Sequence, residues 1–270
     1  MNIIKLLLSI CLFIFLSSTN SLAKVVDYDK AQEIEDLLSW TIPQKHGGVG
    51  DNRCIYVIYS SECSRCQNLV KHIKKIDKNI EIRWLLNKAF KGNSFLVSHA
   101  MPQSMLDYMY GKKLADNNED VLVLLHNILV VNAIWIKANI GRIMYPLLIY
   151  KTKNGIEILE TYDINKIKKI TSTIVSMKEN VLDSSMLKDL EKKFKWYEKT
   201  RYVNTSSLSK PIHVYPSTES PIMGELPPNH YYNKSVWLLK GENNERWAAF
   251  CPYPAIHSWG YVELDEDEKF

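Results

Sequence analysis

Cys54-Ile55-Tyr56-Val57-Ile58-Tyr59-Ser60-Ser61-Glu62-Cys63-Ser64-Arg65-Cys66 is the stretch on which the rest of this 270-residue chain turns. The apolar run before the two cysteines reads as a buried strand. Behind them Leu69, Val70, Ile73 and Ile76 recur at one-face helical spacing. The pair therefore sits where a strand hands over to a helix. Unpaired backbone N–H groups and the positive end of the helix dipole stabilise an anion there, which raises the thiolate fraction of a cysteine. Cys63 is the expected attacking sulfur. Cys66, one turn further in, is placed to attack a mixed disulfide formed at Cys63 and release the partner.

Two blander uses of the pair compete with this. A CxxC is half of a four-ligand zinc site, but zinc needs two more ligands at matching spacing, and neither a second CxxC nor an HxxxH is present. A static bridge across a two-residue loop removes little chain entropy. The redox use is favoured, with no metal and no organic cofactor expected.

Residues 1–23 read as a cleaved export signal, with Lys5 as the charged start, an apolar core over residues 6–15 and a small-x-small site at Ser21-Leu22-Ala23. The apolar run is short for a bilayer span, and Cys11 lies inside it. Export places the remaining Cys54, Cys63, Cys66 and Cys251 in an oxidising compartment, where disulfides persist. The periplasm is the expected location. The chain carries 34 basic and 30 acidic residues with a formal charge of +4. Scattered lysines on helical stretches argue for solvated faces, and no nucleic-acid partner is expected.

Residues 24–52 form a lead-in, with a helix over residues 31–40 built on Ile34, Leu37 and Leu38, followed by a loop at Pro43, Gly47, Gly48 and Gly50. His46 is read as a solvated loop histidine. After the CxxC helix, residues 79–87 read as a second strand, with Ile80, Ile82, Trp84 and Leu86 alternating against Glu81 and Arg83. A helix joining the two strands predicts parallel pairing. Residues 88–141 are expected to be helical throughout. The apolar stretch 121–136 is only 16 residues long and is interrupted by His126, Asn127 and Asn132, so it reads as a buried helix in which His126 and Asn132 are satisfied polar groups.

Pro146 then opens a strand, the position that suits a residue without an N–H. Residues 147–151 and 156–161 flank Lys153-Asn154-Gly155, a strong hairpin signal. Asp163 is a candidate cap for a helix whose buried face is Ile164, Ile167, Ile170, Ile174 and Val175.

With that order in hand, residues 53–178 resemble the thioredoxin fold. The helical insertion before the proline strand makes them most similar to the periplasmic DsbA, DsbC and DsbG group of thiol:disulfide interchange proteins. The resemblance rests on Cys63 and Cys66 at a helix start and on Tyr145-Pro146. It implies a cis proline against the active-site cysteines and flanking backbone that pairs with an extended client. The implied site is Cys63 and Cys66 for catalysis, with Tyr145, Pro146, Ser64 and Arg65 against the client. Four departures stand out. Tyr145 replaces the usual threonine or valine, and Glu62 opposes Arg65 in its effect on the thiolate. No buried carboxylate is in view to take the Cys66 proton. Residues 24–52 also leave no room for a DsbC-type dimerisation domain.

Residues 179–210 read as a helical connector and linker, with Leu187, Leu190, Phe194 and Tyr197 on one face. Beyond Pro211, short β-rich runs at 212–215, 236–240, 247–251 and 259–264 suggest a small antiparallel barrel over residues 211–270. Val214-Tyr215-Pro216-Ser217, Val236-Trp237-Leu238 and the closing Trp259-Gly260-Tyr261-Val262 resemble a bacterial SH3-like domain. That resemblance implies a module recruiting cell-wall peptides or protein segments, while Trp237, Trp247 and Trp259 are each read as core.

The expected fold is α/β, thioredoxin-like with a helical insertion, followed by an SH3-like barrel. The expected function is thiol:disulfide exchange on cysteine-containing envelope proteins, with a redox partner that recycles the pair. The alternative is an envelope adaptor on the same scaffold, associated with a secretion or conjugation assembly, in which Cys63 and Cys66 form a static bridge. Cys54 and Cys251 can join the two parts, but four cysteines permit three pairings.

Overall fold

The computed structural model describes residues 23–60, 63–72, 75–88, 118–140, 144–199, 202–204, 206–229, 231–232, 236–241, 245–253 and 258–265. The expected export signal, residue Glu62 and most of the helical insertion lie outside them. The chain is a mixed α/β protein organised around two large sheets.

The first sheet takes its strands from β1 (Lys24–Val25), β2 (Gln44–His46), β3 (Cys54–Ser60), β4 (Glu81–Lys88), β5 (Leu147–Thr152) and β6 (Gly155–Glu160), in the order β1-β6-β5-β3-β4-β2. Strands β3 and β4 are parallel, and every other pairing is antiparallel. The parallel pair follows from the helix that joins them, α2 (Ser64–His72). Strands β5 and β6 form the expected hairpin. Thr152 pairs with Gly155, so the turn residues are Lys153 and Asn154. Gly155 takes φ +116°, a backbone that a side chain would strain.

Both faces of this sheet are covered. On one face Ile55, Val57, Tyr59, Trp84 and Leu148 pack under α2 and under α4 (Ile164–Thr171). On the other, Cys54, Tyr56, Ile58, Leu85 and Ile149 pack under α1 (Tyr28–Ser39) and α3 (Asn118–Lys137). Double coverage also bears on β4. The alternation sets Arg83 with Glu81 on the face opposite Ile82 and Trp84, and that face is covered too: Arg83 is 1% exposed. Its guanidinium pairs with Glu81 and donates to Tyr56 Oη at 2.9 Å and Asn52 Oδ1 at 3.2 Å. A buried cation is tolerated when its donors are taken up in this way.

The helix α3 is a buried helix, as its interrupted apolar run predicts: His126 to Val131, Ala133 and Ile134 are buried. Its polar groups are satisfied. His126 Nε2 donates to the Trp40 carbonyl at 2.7 Å, Asn127 pairs with both the N–H and the C=O of Ile42, and Asn132 donates to the Ile128 carbonyl. Among the described residues no helix is long and apolar enough to cross a membrane.

Three local expectations are corrected. His46 lies in β2, half-buried and paired with Ile82, instead of in a loop. The helix after Asp163 ends at Thr171, so Ile174 and Val175 belong to an extended segment in which the Val175 N–H donates to the Lys151 carbonyl. The connector is only partly helical. Helix α5 (Ser184–Lys193) stops, and Lys195–Lys199 becomes β7.

The second sheet is antiparallel, with the order β10-β9-β14-β13-β12-β7. It comprises β7, β9 (Lys210–His213), β10 (Ile222–Leu226), β12 (Val236–Lys240), β13 (Arg246–Tyr253) and β14 (Ser258–Glu263). β8 (Tyr202–Val203) and β11 (Tyr231–Tyr232) pair separately. Asn204 is fully buried at the turn expected to be linker, and its amide donates to the carbonyls of Leu208, Leu226 and Pro227. Trp247 is core and Trp237 packs half-buried against it, while the side chain of Trp259 lies outside the described residues. The two sheets share one apolar core. Helix α3 packs against β10, β14, α1 and α5, and the rings of Trp40 and Tyr215 meet at 5.6 Å between centroids.

Candidate active site

Cys63 immediately precedes α2, so it occupies the N-cap position. Its backbone carbonyl accepts the Gln67 N–H at 3.0 Å. Its sulfur accepts the Cys66 N–H at 3.2 Å. A serine or aspartate side chain ordinarily makes that second bond. A sulfur in its place sits against a backbone donor at the positive end of the helix, where negative charge is favoured. Cys63 is half-buried and Ser64 and Arg65 are exposed, which leaves the sulfur approachable from the helix tip.

The other wall is the turn before β5. Tyr145–Pro146 is a cis peptide, and the Cys63 thiol donates to the Tyr145 carbonyl at 3.4 Å. Residues separated by 82 positions thus meet across the sheet end, because antiparallel pairing of β3 with β5 brings the end of one strand to the start of the other. Pro146 is buried, and Tyr145 is half-buried with its hydroxyl accepting from Asn87 Nδ2 at 2.8 Å. Asn87 was not among the residues singled out from the sequence. At the end of an alternating strand it carries no signal until the ladder is seen.

Cys66 is fully buried beneath Cys63. Burial pushes its thiol well above the usual range, hydrogen bonding to Cys63 adds to this, and a backbone hydrogen bond at Ser60 opposes it. The two sulfurs therefore differ in kind: one is an approachable helix cap, and the other is a buried neutral thiol one turn behind.

The Arg65 guanidinium lies over the Tyr162 ring, 5.3 Å from its centroid, so an exposed cation and an exposed aromatic flank the helix tip. All four residues expected against a client fall at this tip or on the facing turn. Among the described residues no cluster of His, Cys, Asp or Glu can hold a metal ion. Cys54 stands apart from the site. It is a free, fully buried thiol in β3, and the side chain of Cys251, the partner considered from the sequence, lies outside the described residues. Burial pushes the Cys54 pKa to about 12.

No protein-family model and no curated protein matches this chain.

Proposed function

We propose that the protein is an exported thiol:disulfide oxidoreductase acting on protein clients in the periplasm. The observation that carries the reading is the Cys63 sulfur, held as a helix cap and facing the carbonyl of a cis Tyr145–Pro146 turn. In this reading the first sheet and its helices are a thioredoxin-type domain, supported by the β-α-β unit, the later hairpin and the closing helix in that order. The second sheet is an SH3-like module that brings the activity to its partners, supported by its short antiparallel strands and aromatic content.

In client reduction, Cys63 thiolate attacks one sulfur of the client disulfide. That S–S bond breaks, a Cys63–client disulfide forms, and one client sulfur leaves as a thiolate. Cys66 then gives up its proton and attacks the Cys63 sulfur, releasing the second client sulfur. Two electrons pass to the client, whose two sulfurs take up the protons of the two protein thiols, and Cys63–Cys66 is left as a disulfide. A partner dithiol returns the pair to its reduced state. Oxidation of a client is the same sequence run backwards from the Cys63–Cys66 disulfide.

The test uses the full mature chain with a disulfide-bonded peptide. Cys63→Ser is expected to abolish exchange, and Cys66→Ser to accumulate a peptide adduct seen by intact mass. Exchange by Cys63→Ser at the wild-type rate would leave the adaptor reading standing instead.

A further inference from the structure

The ladder between β3 and β4 pairs Tyr59 with Leu86 and then Ser60 with Lys88. Asn87 is skipped. Such a bulge takes one residue out of the pairing and re-aims its side chain, and bulges recur beside functional sites for that reason. The amide of Asn87 is turned to the Tyr145 hydroxyl, which it reaches at 2.8 Å. The far end of the same tyrosine is its carbonyl, the group that accepts from the Cys63 thiol at 3.4 Å. Tyr145 is thus tied at both ends, and its half-buried ring touches the apolar clusters on both faces of the sheet.

The other half of the Asn87 side chain carries an unusual feature. Its carbonyl oxygen is buried with no partner among the described residues. A desolvated acceptor left unpaired disfavours folding, so an apolar residue of similar volume fits that space with less cost. What the asparagine contributes is the bond to Tyr145.

We propose that Asn87 is a positioning residue for the client-binding edge, fixing the Tyr145 side chain so that the Tyr145 carbonyl stays opposite Cys63. This inference rests on the exchange reading above. A client cysteine that approaches Cys63 takes the place of the thiol–carbonyl contact, and the freed carbonyl accepts from the client backbone only where its side chain is anchored. Loss of the anchor therefore falls on client affinity rather than on the chemistry at sulfur.

The experiment compares wild type, Asn87→Leu and Asn87→Asp in the full mature chain. Steady-state exchange with a disulfide-bonded decapeptide is read alongside the Tyr145 ring resonance in protein labelled at tyrosine. Asn87→Leu is expected to raise KM about fivefold, the effect of losing one hydrogen bond of ordinary net strength, with kcat held and the Tyr145 resonance displaced. Asn87→Asp removes the amide donor but offers a carboxylate to which the tyrosine hydroxyl donates in turn, and this reversed bond is expected to restore both. Should Asn87→Leu not fold, Tyr145→Phe removes the same bond from its other end and carries the same expectation for KM. An unchanged KM, or a fall in kcat alone, overturns the role. If wild type exchanges with no disulfide, the function proposed above is lost. The ring resonance then still decides the clamp: displacement in Asn87→Leu and recovery in Asn87→Asp support it, and an unmoved resonance overturns it.

Discussion

Three thiols and one histidine show how burial sorts chemically identical groups. Cys63 is half-buried, whereas Cys54 and Cys66 have no exposed surface. With its pKa pushed to about 12, Cys54 holds roughly one thiolate in ten thousand at pH 8. Brief treatment of the native protein with iodoacetamide, followed by peptide mapping, is expected to label Cys63 and spare Cys54 and Cys66. Denaturant is expected to open all three. Labelling of Cys54 at the rate of Cys63 would contradict the packing of β3. His126 makes a second case. Burial lowers its pKa from 6.5 to about 4, partly offset by the bond to the Trp40 carbonyl. The unfolded chain takes up a proton at pH values where the folded one does not, so the stability present above pH 6.5 drains as pH falls toward 4. The loss amounts to about 3 kcal/mol at its full extent. Urea melts of wild type and His126→Gln between pH 4 and 7 check this: the variant is expected to have the shallower dependence over that window.

Elements with local signals were legible before any contact was known. Asp163 reads as a cap from its place before an apolar helical repeat. Its carboxylate accepts the Asn165 N–H at 2.8 Å. Asp163→Ala is accordingly expected to cost about 1 kcal/mol, measured by chemical denaturation. The strand before the cysteines, the helix behind them and the hairpin were legible for the same reason, since each is written in a run of neighbours. Strand β7 was not. Leu187, Leu190, Phe194 and Tyr197 continue a helical spacing across the point where the helix stops at Lys193. Over five residues the helical and strand patterns of Lys195–Lys199 overlap, and pairing with β12 decides between them. Arg83 escaped notice through a related ambiguity. Alternation distinguishes the two faces of a strand, but it does not say that one of them is wet.

At the scale of the molecule, the site's two walls are far apart in sequence. The sequence pattern alone could say that Pro146 begins a strand. That its neighbour's carbonyl meets Cys63 depends on sheet order, and the expectation came from resemblance. The division of the chain at residue 211 depends on long-range structure in the same way. The sheet that follows residue 211 takes an edge strand, β7, from before it. It also shares its apolar core with α1 and α3. Two consequences can be measured. A fragment of residues 211–270 lacks β7 and the helical cover, and it is expected to give an unstructured circular dichroism spectrum. The full chain is expected to melt in a single transition followed at both far-ultraviolet and tryptophan wavelengths. Ile134 in the shared helix is 1% exposed. Truncating it to alanine is expected to remove about 2–5 kcal/mol and to lower that one transition as a unit. Two separated transitions, with only one of them moved by Ile134→Ala, would mean that the helix serves a single sheet and that the halves fold apart.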